Sequence, residues 1–188
     1  MKEYLNFLNE NIQNIDLLFK GTELKIIENI KTKIDDINVQ NKNGETLLHY
    51  AVYYTKNNVI KYLLKNGANP FLQTTILKAT PIFYSILREK YLFNLESIKL
   101  IIDKYPDVVN VTNKYNQTFL YRVLVTEYVP LDSELVNYLI KRTDLTIKSY
   151  NEKDIFHINN NISKKLIEIY PEEYQRYLIE KSARNFNI

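Results

Sequence analysis

Residues 43–52 read NGETLLHYAV. A turn pair is followed by a threonine, two leucines, a histidine and three mostly apolar residues. In a chain with two histidines and no cysteine, the placing of His49 in a reactive centre or in the scaffold decides how everything else is read. The pattern returns as LKATPIFYSI (77–86), YNQTFLYRVL (115–124) and NEKDIFHINN (151–160). Its anchors are Thr46, Thr80, Thr118 and Asp154, separated by 34, 38 and 36 residues. About half a repeat beyond each anchor comes an apolar pair: Leu63–Leu64, Ile101–Ile102, Leu139–Ile140 and Leu166–Ile167. A fixed period of this size is the mark of a repeat architecture.

The chemistry of each piece predicts a helix pair. A threonine ahead of apolar residues suits a helix N-terminus, where its hydroxyl takes an orphaned backbone N–H. Asp154 can cap by the same chemistry. Pro81 fits the first helical position, where its missing N–H costs nothing. VIKYLLKNG (59–67) reads as an amphipathic second helix closed by Gly67 in a left-handed cap. Such a pair cannot bury its own apolar face and must stack on its neighbours.

The unit resembles the ankyrin repeat, with its T-P-L-H-x-A signature and period near 33. The best match is NKNGETLLHYAVYYTKNNVIKYLLKNGANP (41–70), with Leu47 in place of the proline. The second unit keeps Thr80 and Pro81 but carries Phe83 for the histidine; the third has Tyr121 and the fourth restores His157. The resemblance implies an all-α solenoid of helix–turn–helix repeats with capping units at both ends, in a single domain over 1–188. A degenerate N-terminal unit would occupy 1–40, with a helix near residues 3–19 and ELKIIENIKTKIDDINVQ (23–40) as its second helix and tail. Repeats would follow at 41–74, 75–112 and 113–148, then a short one at 149–170. PEEYQRYLIEKSARNF (171–186) reads as a closing helix, with proline at its start and two acids in its first turn.

In this frame His49 is scaffold. The resemblance makes it a hydrogen-bonding staple between neighbouring turns, and neither Phe83 nor Tyr121 could take its place in a reaction. His157 is read the same way. Two distant histidines without cysteine give no transition-metal site. The three glycines, Gly21, Gly44 and Gly67, stand apart and build no phosphate-cradling loop. The carboxylate pairs Asp35–Asp36 and Glu172–Glu173 are solvated charges rather than an acid and base. We expect no catalytic residue, no cofactor and no metal.

Composition narrows the partner. Hydrophobic content of 45% and charged content of 25% over 188 residues suit a folded soluble chain. The opening MKEYLNFLNENIQNIDLLF is broken by Glu3, Glu10 and Asp16, so it predicts neither a signal peptide nor a membrane span. The lack of cysteine fits a cytoplasmic protein. Net charge is +3, but the lysines are scattered and form no basic stripe with interleaved aromatics, which argues against nucleic acid. Asn, Ile, Lys and Tyr are abundant, as in an AT-rich genome.

The resemblance places a protein partner on the turns before each first helix and on the concave face of those helices. The matching positions are Lys42, Asn43, Glu45, Tyr53 and Tyr54; Ile76, Leu77 and Arg88; Lys114, Tyr115 and Gln117; and Tyr150. Tyrosine and arginine are favoured at interface hot spots. Leu87 and Val125 are expected to pack inside instead. The basic members suit an acidic partner surface, with the free chain a monomer. The two middle units carry about four extra residues near YLFN (91–94) and YVPL (128–131), read as loops stacked on each other or as a second contact surface. The function expected is a non-catalytic interaction module, for instance a host-directed viral or bacterial factor. Alternatives are a toxin-neutralising immunity protein and an enzyme or ligand-binding protein on a helical-repeat scaffold.

Overall fold

The computed structural model describes residues 18–87, 94–126 and 128–186. Nearly all of the helix expected at 3–19, together with Arg88 and insert residues 91–93, lies outside them. The chain forms two compact units that divide between Val108 and Val109. Among the described residues every regular element is helical.

The first unit contains α1 (Glu23–Lys33), α2 (Leu47–Tyr53), α3 (Asn57–Lys65), a 3₁₀ segment (Pro81–Ile86) and α4 (Leu95–Ile102). Second helices form one layer, α1 packing on α3 and α3 on α4, while α2 packs on the 3₁₀ segment in the other layer. The spacing of α3 explains its seat: Val59, Ile60, Leu63 and Leu64 are buried on one stripe. Each such side chain contributes roughly 1.5–3 kcal/mol through burial. Gly67, at φ +87, ends α3 in a Schellman motif, with Ala68 N–H donating to Leu63 O at 2.9 Å.

The second unit contains α5 (Phe119–Leu124), α6 (Glu134–Ile140), a 3₁₀ turn (Ile155–His157), α7 (Asn160–Ile169) and α8 (Pro171–Phe186). Here α5 packs on α6 and on the 3₁₀ turn, which packs on α7, and α8 closes against α7. Arg176 of α8 donates to Ile140 O at 2.7 Å and Lys141 O at 3.1 Å, satisfying carbonyls at the end of α6. The apolar pairs at 63–64, 101–102 and 139–140 are buried. The fourth departs: Leu166 is buried and Ile167 only half-buried.

The caps differ in a way the sequence does not announce. Thr118 Oγ1 accepts Tyr121 N–H at 3.2 Å, and Asp154 Oδ1 accepts Phe156 N–H at 3.0 Å. Thr80 makes no such bond, against expectation. Phe83 N–H, the donor its hydroxyl would take, already bonds Thr80 O at 3.0 Å in the tighter 3₁₀ turn. In the first repeat Thr46 Oγ1 lies 2.8 Å from His49 Nδ1. Phe83 removes that partner, and Thr80 Oγ1 is left buried and unpaired. A buried hydroxyl without a partner is a net cost. Thr80→Val should therefore be neutral or stabilising by up to about 1 kcal/mol. Thr118→Val should cost about 0.5–2 kcal/mol. Denaturant melts of the two variants check the contrast; an equal loss in both would contradict it.

Candidate protein-interaction surface

The turns before the first helices share one backbone device. Gly44, Lys78, Asn116 and Glu152 stand two residues before the four anchors, and all have positive φ: 76°, 51°, 55° and 57°. The residue that organises each turn varies. Asn41 Oδ1 accepts Asn43 and Glu45 N–H, both at 2.9 Å, and Asn113 Oδ1 accepts Tyr115 N–H at 2.9 Å and Gln117 N–H at 3.1 Å. These are Asx turns, the favoured local chemistry of asparagine. In the second repeat Thr74 N–H reaches Ala79 O at 3.0 Å, enclosing one residue more. Successive turns are then tied together: Thr75 N–H donates to Asn43 O at 2.8 Å, and Tyr150 N–H to Tyr115 O at 3.0 Å. At Gly44 a Cβ would stand 2.8 Å from Thr75 N, so this position needs glycine for space as well as for φ.

His49 is fully buried. Its Nδ1 accepts Thr46 N–H at 3.0 Å, so Nε2 carries the proton and donates to Ala79 O at 3.1 Å in the next turn. Burial pushes its pKa down to about 4, despite the opposing pull of Ala79 O and of the Glu45 charge. A neutral imidazole with both nitrogens engaged inside the protein is a staple. His157 differs: its side chain is half-exposed and bonds Asp154 Oδ1 at 2.6 Å within its own turn. Asp154 also accepts Tyr177 O–H of α8 at 2.8 Å, which, with burial, holds that phenol above its ordinary pKa.

The predicted contact residues do not share one setting. Lys42, Asn43, Ile76, Leu77, Tyr115 and Tyr150 are exposed on turn tips, Ile76 to 69% and Tyr150 to 71%. Lys114 Nζ sits 4.9 Å from the Tyr115 ring, and Gln117 Oε1 takes Asn113 Nδ2 at 3.3 Å. Tyr53 and Tyr54 are half-buried and packed edge-on at 5.0 Å, with Tyr54 stacked on Phe19 at 5.8 Å. Glu45 faces inward: it accepts Tyr50 O–H at 2.8 Å, Asn41 Nδ2 at 2.7 Å and Tyr84 O–H at 2.6 Å. Arg88 lies outside the described residues. Leu87, expected to pack, is 51% exposed, while Val125 is half-buried.

Tyr50 and Tyr84 were not singled out by sequence. Their signal was register, for both stand four residues after an anchor. A separate groove of about 410 Å³ in the second unit is lined by Val125, Val129, Leu131, Ile162 and Lys165 among others. It is formed partly by the insert at 128–131, whose Leu131 O is held by Tyr170 O–H at 2.9 Å. Among the described residues no group of three His, Cys, Asp or Glu could hold a metal ion. No described helix is long and apolar enough to cross a membrane.

The family described as ankyrin repeats (3 copies) matches residues 9–112, more than half of the chain. The chain belongs to the ankyrin-repeat family. This ankyrin-repeat chain is similar to two ankyrin repeat proteins of Acanthamoeba polyphaga mimivirus. One is 26% identical over 90% of the chain and the other 23% identical over 97% of it. It is also 26% identical, over 63% of its length, to alpha-latrocrustotoxin-Lt1a of Latrodectus tredecimguttatus. The chain spans 23%, 11% and 8% of those relatives. Ankyrin repeats generally mediate protein–protein interaction, and the family is generally non-catalytic.

The buried histidine makes the ankyrin fold acid-sensitive with a definite sign. The unfolded chain takes up a proton near pH 6.5, while the folded one resists until about pH 4. The contribution of His49 is therefore complete above pH 6.5 and lost as pH falls from there to about 4. The span corresponds to about 3 kcal/mol. Wild type should lose that much more stability than His49→Gln between pH 7 and 4 in urea melts; parallel curves would contradict the tautomer and burial assigned here.

Proposed function

We propose that this ankyrin-repeat chain is a non-catalytic module that holds a partner protein on its turn tips, and that the partner presents an acidic surface. One observation carries the reading: the tips expose large apolar groups beside lysines, while the acid of the first turn, Glu45, is engaged within the chain. Ile76 and Leu77 stand next to Lys78, and Tyr115 next to Lys114. Glu45 is taken up by Tyr50, Tyr84, Asn41 and Asn43. Exposed aromatic side chains on rigid turns bury much area at small entropic cost, which is what interface anchors require. Tyr53, Tyr54 and Gln117 would support the tips from the adjoining helix and turn, with Lys42 and Arg88 adding to the basic rim. The free chain acts as a monomer in the cytoplasm of the cell that makes it or that its source infects. Similarity to mimivirus proteins supports a host-directed role.

The test is capture from an Acanthamoeba lysate with the full chain as bait, followed by affinity measurement on the protein captured. Tyr115→Ala, Tyr150→Ala or Ile76→Ala should each weaken binding by at least 1–2 kcal/mol, roughly tenfold or more, with unchanged melts. Lys42→Ala and Lys114→Ala should mainly slow association and flatten its salt dependence. Normal binding by the tip variants, with loss on changes around Tyr128 and Leu131, would move the contact surface to the insert.

A further inference from the structure

Glu45 stands on the first turn among the residues predicted to touch a partner, yet both of its carboxylate oxygens point to donors of its own chain. Oε2 accepts Asn41 Nδ2 at 2.7 Å, Tyr50 O–H at 2.8 Å and, more distantly, Asn43 Nδ2 at 3.4 Å. Oε1 accepts the phenol of Tyr84 from the following repeat at 2.6 Å. The donors come from three places: the turn itself, α2, and the 3₁₀ segment at 81–86. From these contacts we infer that Glu45 is a positioning residue of the interaction surface, which fixes the first turn against the second repeat and does not itself contact the partner. The inference rests on the reading of the turns as the recognition edge.

The chemistry favours this role for a carboxylate over any neutral side chain. A carboxylate accepts at both oxygens and donates at neither, and hydrogen bonds to it are stronger than neutral ones. Glutamine in its place would direct an NH₂ group at donors already aimed there. Tyr84 lies over His49, ring centres 4.9 Å apart and edge-on, and His49 bonds Ala79 O. Thr75 N–H of the second turn bonds Asn43 O of the first. The Glu45–Tyr84 bond thus closes a loop of contacts joining the two turns and two inner helical segments. Burial acts to raise the carboxyl pKa, but the bonds from Asn41, Tyr84, Tyr50 and Asn43 outweigh it and hold the group ionised below the usual range. The titratable groups facing Glu45 are Tyr50 on α2, Tyr84 on the 3₁₀ segment and His49, so the clamp is intact at neutral pH and opens when acid protonates the carboxylate.

The experiment needs no partner, so its failure is separable from failure of the interaction reading. The full chain is labelled at tyrosine Cζ and followed by NMR, with amide exchange measured at Thr75. Measured in a His49→Gln background, where the neighbouring imidazole no longer titrates, the Tyr84 resonance should show a titration step below the ordinary carboxylate pKa of 4.5 that Glu45→Gln abolishes. Exchange at Thr75 should quicken roughly tenfold in Glu45→Gln and in Tyr84→Phe, and the double variant should be no faster than either. Lys42→Ala, a tip change, should leave exchange as in wild type. Should Glu45→Gln not fold, Tyr84→Phe removes one hydroxyl only and carries the same comparison. A Tyr84 signal without the step, or unchanged Thr75 exchange in Tyr84→Phe, would overturn the assignment.

Discussion

The carbonyl of Ala79 lies in a turn that the first repeat must cover, and a covered carbonyl without a donor is costly. His49 supplies that donor across thirty residues of sequence, and with its other nitrogen takes the N–H of Thr46 at its own helix start. One side chain thereby satisfies two groups that stacking buries, and the price is an imidazole kept neutral. The second repeat lacks that histidine: Phe83 offers no ring nitrogen, Phe83 N–H bonds Thr80 O in a 3₁₀ turn, and Thr80 keeps an unpaired hydroxyl. The degenerate repeats are thus physically different objects, though they share a period.

Scaffold and recognition are separated by which atoms do each job. The turns are held by main-chain bonds, by Asn41 and Asn113, and by one left-handed residue at a constant place. Only at Gly44 does the neighbouring strand of chain exclude a side chain; Lys78, Asn116 and Glu152 adopt a similar φ with side chains present. The tip residues carry little of this work. Isoleucine, leucine and tyrosine side chains can stand there because the bonds that hold the turns are made by other groups.

Much of this was legible beforehand. The helix-pair architecture followed from caps and apolar pairs, because those patterns obey local rules: Gly67 closes α3, and Thr118 and Asp154 cap as their chemistry dictates. The failures are tertiary. Thr80 has the right residue in the right place, but its donor is taken by a turn type that sequence did not specify. Ile167 looked like the partner of Leu166, yet it is only half-buried. Leu87 looked like packing and stands exposed. Glu45 looked like a tip residue because its partners lie 39 residues away at Tyr84 and five away at Tyr50. Tyrosines at matching register next to an acid were a usable signal, but only once the register was taken as a spatial neighbour relation.

Charge counted along the chain also differs from charge offered at a surface. A formal +3 over 188 residues is nearly neutral, and scattered lysines gave no patch. On the first turn the acid faces inward. The Glu45 carboxylate accepts three short hydrogen bonds from its own chain, which turn it inward while it still carries its charge. Lys42 on the same turn is exposed to solvent. Within the first unit, His49 and Glu45 tie the turn that carries Asn43 to the repeat that carries Ile76 and Leu77, through Ala79 O and the Tyr84 hydroxyl.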